Sequence, residues 1–145
     1  MYSTAEDLQA MAHFINRYGL HTGPQFAALG PAAPMDISAV AYIVAERCAP
    51  PPEFFTDEDA SLRLIECSAG AMAAIRAISE VLDPGACETE IAPGLYVPDY
   101  IEHVSHWAAT PAPFSSAPPT VSEVVGCILR AANTVAIHTP TGSAA

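Results

Sequence analysis

Asp99, His103 and His106 are the residues whose types and spacing come closest to a reactive centre in this 145-residue chain. Gaps of four and three put all three on one helix face, with Glu102 to the side. A carboxylate and two neutral imidazoles so placed can contact one divalent metal ion. A hydrolytic version would keep one position for water and use a nearby carboxylate as base. No E-x-x-H or H-x-x-H answers this motif from another helix, and such pairing is what builds a metal site between helices. His13, His21 or His138 could add an imidazole only through tertiary contact. The plainer reading makes His103 and His106 half-exposed neighbours of Tyr100 and Trp107, with no cofactor.

Other chemistries find less support. The four cysteines, Cys48, Cys67, Cys87 and Cys127, include no C-x-x-C pair and so form no zinc signature. Cys67-Ser68-Ala69-Gly70 reads as mid-helix, where neither a thiol nor a hydroxyl gains the exposed, strained turn of a nucleophile elbow. A Cys–His pair assembled in space stays open. All five basic residues are arginine and none is lysine, which removes lysine Schiff-base chemistry and the P-loop lysine. No glycine loop of the G-x-G-x-x-G type is present. The net charge of −11 opposes attraction to nucleic acid or to an anionic membrane.

Acidic residues gather at Glu53 with Asp57 to Asp59, and at Glu88, Glu90, Asp99 and Glu102. One reading makes them a face for a basic protein partner, with Phe54, Phe55, Asp57, Glu58 and Asp59 as the contact set. The other makes the acids helix caps on a solvated surface and Phe54-Phe55 a hydrophobic staple onto the following helix.

The elements that would position these residues are helices. The longest helical pattern runs from Thr56 to Asp83, with Ile65, Ser68, Met72, Ile75, Ser79 and Leu82 at spacings of three and four. Small residues on its opposite side suggest a helix covered twice, and Pro84-Gly85 ends it. Ser3 and Glu6 have capping-box spacing at the start of a helix from about Thr4 to Tyr18. A packed irregular stretch follows, and Asp36 caps a helix over 37–48 that Pro50-Pro51-Pro52 closes off. Leu95 to Val97 reads as extended, but a single such segment makes no sheet. Asp99 with Glu102, and Thr120 with Glu123, open helices over 100–109 and 121–136. The expected architecture is all-α: one domain over 1–138, a bundle of about five helices with proline-rich loops, and a mobile tail over 139–145. The acidic N-terminus lacks the regions of a signal peptide, and the longest apolar run, Ile37 to Ala45, is too short to span a bilayer. Reduced thiols in the cytoplasm are the natural expectation.

Two segments carry a resemblance. RYGLHTGPQF with MDISAVAYIVAE, and HWAATPAPFSSAPPTVSEVVGCILRAA, are similar to a family of small helical actinobacterial proteins known as a domain of unknown function. The shared elements are Gly19, Gly23, Trp107, Thr120, Glu123, Val124 and Val125. The chain departs from the family where a cysteine is usual near the second helix, since Asp36 or Ile37 stands there, and little of Phe54 to Asp83 matches. The resemblance implies a helical fold and carries no known activity with it.

The function expected from these features is protein–protein contact, as an accessory subunit, regulator or homo-oligomer. The alternatives are a metal-binding protein or metal-dependent hydrolase using Asp99, His103 and His106, and an acidic inhibitor of antitoxin type that binds a basic partner.

Overall fold

The Ser3 hydroxyl accepts the Glu6 N–H at 3.2 Å, and Glu6 Oε2 accepts the Ser3 N–H at 2.7 Å. Both bonds of the capping box are therefore made, and α1 runs Thr4–Tyr18 as its spacing predicts. The computed structural model describes residues 2–30, 33–83 and 85–138. The tail expected at 139–145 and Pro84 of the expected stop signal lie outside these residues. Leu8, Met11 and Ile15 are fully buried on α1, while Gln9, His13 and Asn16 face solvent. Gly19 ends the helix at φ 83°, a conformation that costs glycine little.

The irregular stretch after α1 is packed, as its apolar residues require. Leu20 and Ala27 both bridge to Met35, and the Phe26 N–H bonds to the Phe54 carbonyl at 3.0 Å. Asp36 then caps α2, Ile37–Glu46, which stops two residues short of the expected end. Its terminal cap is Arg47 in the left-handed region at φ 55°. Two contacts hold that residue: its guanidinium lies 3.6 Å from the Tyr2 ring centroid, and Nη2 is 3.4 Å from Asp7 Oδ1.

In place of the single helix expected over Thr56 to Asp83 the chain forms two, α4 Glu58–Glu66 and α5 Ala69–Glu80, preceded by a short α3, Glu53–Thr56. Asp57 interrupts first, with an extended backbone and its Oδ1 accepting the Ala60 N–H at 3.0 Å. Ser68 interrupts second. Its hydroxyl accepts the Ala71 N–H at 3.2 Å and donates to Glu46 Oε1 at 2.6 Å. A hydroxyl that both caps a helix and ties it to α2 stabilises the break. Cys67 to Gly70 is thus a helix junction, and Cys67 is exposed. The junction brings α5 hard against α2: a Cβ on Gly70 would stand 3.0 Å from the Ala45 Cβ.

The extended segment near Leu95 has a partner after all. Strand β1, Glu88–Ala92, pairs antiparallel with β2, Leu95–Pro98, with Thr89 opposite Val97, Glu90 opposite Tyr96 and a register shift at Ile91. Gly94 makes the turn at φ 76°. Then follow α6, Tyr100–Ala109, and α7, Val121–His138. The fold is mostly helical, with this hairpin as the sheet among the described residues. At its centre α5 touches α1, α2, α4, α6 and α7, burying Ile75 and Ile78, while α7 packs chiefly on α1. No helix among the described residues is long and apolar enough to cross a membrane.

Candidate functional site

Helix α6 forms where the sequence places it, yet its three chemistry-bearing residues take separate partners. Asp99 is spent on the backbone and the hairpin. Its Oδ1 accepts the Glu102 N–H at 3.0 Å, and its Oδ2 accepts the Thr89 hydroxyl at 3.2 Å. His103 Nδ1 shares a 2.6 Å hydrogen bond with the Ser79 hydroxyl of α5, a side chain in the core. His106 Nδ1 lies 3.5 Å from Thr110 Oγ1 at the helix end. Equal spacing on one face does not make a ligand set once other elements claim two of the three side chains. Among the described residues, no three of His, Cys, Asp and Glu are arranged to hold a metal ion.

The residues proposed for partner contact also separate. Phe54 is fully buried, its ring 5.5 Å from Tyr42 and 6.0 Å from Phe26 between centroids. These ring partners lie in the loop before α2 and in α2, whereas the staple was expected onto the following helix, and the burial corrects the expectation of Phe54 as an exposed contact. Phe55 is half-buried in an apolar groove of about 320 Å³ with Phe14, Tyr18, Met35, Ile43 and Cys48. Burial, assisted by Glu46, pushes the Cys48 thiol up, which keeps it protonated and a poor nucleophile. Asp57 is the cap of α4, and Asp59 is exposed. Glu58 Oε1 accepts the Gln25 N–H at 2.8 Å, bracing Gln25 at φ 64°.

A second cleft of about 320 Å³ joins residues that the sequence reading kept apart. Glu58 of the acidic set and His106 of the histidine set both line it, together with Asp36, Glu102 and Ser105. Asp36 is the partly buried group at its inner end. Its Oδ1 accepts the Ser38 N–H at 2.8 Å and the Ser105 hydroxyl at 3.2 Å, and the two serine hydroxyls are 3.2 Å apart. Loss of hydration pushes the Asp36 carboxyl up to about 6, against the pull of those hydrogen bonds and of His21. The arrangement can take up and release a proton near neutral pH. The Ser105 hydroxyl bonds straight to a carboxylate, without the intervening imidazole of a nucleophile–base–orienter relay. The sequence identifies Asp36 as a helix cap, but its neighbours Met35 and Ile37, both core residues, were the signal that the carboxylate would lose water.

Apolar side chains also remain outside the core. On α7, Val121, Leu129 and Ile137 are 37%, 42% and 79% exposed, and a Cβ on Gly126 would meet open space. The hairpin exposes Ile91, Leu95 and Tyr96. Comparison of the chain with protein-family models, with curated proteins and with solved structures returns no match.

Proposed function

We propose that this protein is an interaction module, a small acidic helical bundle of the cytosol that acts through protein–protein contact as an accessory subunit, regulator or homo-oligomer. One observation carries the reading. The exposed surface of α7 presents Val121, Leu129, Ala136 and Ile137 among Ser122, Asn133 and Thr134, with one formal charge of each sign, Glu123 and Arg130. In a chain of net charge −11, this surface carries no net formal charge and leaves three large apolar side chains in water. Large apolar side chains left exposed along one helix favour contact with another macromolecule, because burying them recovers about 25 cal/mol per Å².

The test is photo-crosslinking in host cells, with a photoreactive residue at Leu129 and, as control, at the exposed Arg63 of α4. The reading expects a discrete adduct from position 129 that position 63 does not give. No adduct from 129, or the same pattern from both positions, overturns it.

A further inference from the structure

Resting on that reading, we infer that the occupant of the outer face of α7 is a second copy of this chain, packed antiparallel about a two-fold axis near position 127. Within Val121–His138 the formal charges at neutral pH are Glu123 and Arg130, one of each sign. They stand seven residues apart, close to two full turns, and so share one flank about 10 Å apart along the axis. Relative to Leu129, a rotation of about 100° per residue places Ser122, Gly126, Asn133 and Ile137 on the face, with Glu123 and Arg130 toward one flank.

That order of charges is self-complementary. A two-fold axis perpendicular to the helices keeps the charged flank beside its own copy and reverses the direction, so Glu123 of each chain meets Arg130 of the other. The same register brings Leu129 of the two copies within about 6 Å of each other along the axis, on the flank opposite the charges. Parallel alignment would place the charged flank beside the opposite, uncharged border and leave both ions unpaired. Isologous contacts of this kind are the commonest in soluble oligomers. The face is also suited to self-contact because α7 is neutral in a chain of net charge −11, so two copies meet there without opposing like charges. Gly126 stands beside the axis, where the absent side chain allows the helices to approach.

Sedimentation equilibrium on the purified protein tests this. The expected species has twice the 15.1 kDa chain mass. E123R and R130E each turn two attractive pairs into two repulsive ones and should weaken association about tenfold or more, while the double charge swap restores it. G126W fills the open space at the axis, so it should abolish the dimer while circular dichroism stays unchanged. A monomer at about 100 µM, where even a weak dimer of micromolar Kd would be saturated, overturns the inference. So does a double swap no better than the single variants. Should the protein be monomeric while Leu129 still crosslinks to a different polypeptide, the second copy is ruled out and the interaction reading stands. Without either, both fall.

Discussion

Replacing Asp36 by asparagine should make the protein more stable at neutral pH, and the gain should vanish in acid. Asp36 has a carboxyl raised from 3.8 to about 6 by loss of hydration. A group that binds its proton more tightly in the folded state stabilises the fold where it is protonated, and that contribution is lost as pH rises through the folded value. Below pH 3.8 both states hold the proton and there is no penalty. Above about 6 the folded state must carry a poorly hydrated charge. Two pH units convert to about 3 kcal/mol, which water in the adjoining cleft reduces to roughly 2 kcal/mol. Asparagine keeps an Oδ1 to accept the Ser38 N–H and the Ser105 hydroxyl, and it is as good a helix cap as aspartate. The assay is urea denaturation of wild type and D36N from pH 4 to pH 7.5, read as the difference between the two proteins at each pH. Every other titrating group cancels in that difference. D36N should gain about 2 kcal/mol on wild type across the series, with the change falling between pH 4 and 6. A difference that does not vary with pH would refute the argument, because Asp36 would then have an ordinary carboxylate.

Two further outcomes test the fold. Ser68→Ala removes the cap of α5 and its bond to Glu46, and should cost about 1–2 kcal/mol in urea denaturation at pH 7; no measurable loss would show that the break between α4 and α5 needs no cap. In the folded protein, Ellman's reagent should titrate Cys48, Cys67 and Cys87, with Cys48 slowed by its raised thiol, while Cys127, 1% exposed in α7, reacts only after unfolding. Four thiols reacting together under native conditions would contradict the packing of α7.

Much of the helical framework was legible because its signals are local. Ser3 with Glu6, Asp99 with Glu102 and Thr120 with Glu123 announce three helix starts in neighbouring residues, and the backbone bonds at each are made. The junction at Ser68 was not legible from periodicity. Ile65 lies before it and Ala71, Ile75 and Ile78 after it, all buried, so the apolar rhythm runs on across a break in the hydrogen-bond ladder. What decides the break is Glu46, twenty-two positions earlier, which accepts the Ser68 hydroxyl. The hairpin was half legible: Leu95 to Val97 reads as extended, but its partner Glu88–Ala92 is polar and exposed, and only the turn at Gly94 sets the pairing. The surroundings of the candidate site were out of reach for the same kind of reason. Spacing along α6 puts Asp99, His103 and His106 on one face, whereas Thr89 and Ser79 from other elements determine what each side chain does. Asp36 was recognised as a cap, but its raised carboxyl comes from loss of hydration in the folded chain, which the bond from Ser105, sixty-nine residues away, only partly offsets.

The pairing of α1 with α7 bears on how the chain is made. Residues 4–18 and 121–138 are separated by about a hundred positions, yet α7 is the helix on which α1 packs most extensively. During synthesis α1 emerges early and must wait for α7 before its seam of Leu8, Met11 and Ile15 is fully enclosed. For that interval the nascent chain holds an open apolar seam, and closing a loop of such length is slow compared with forming a helix. The folding of this protein is therefore completed only after translation of α7, and its vulnerable period is the time the ribosome takes to cover the distance between those two helices.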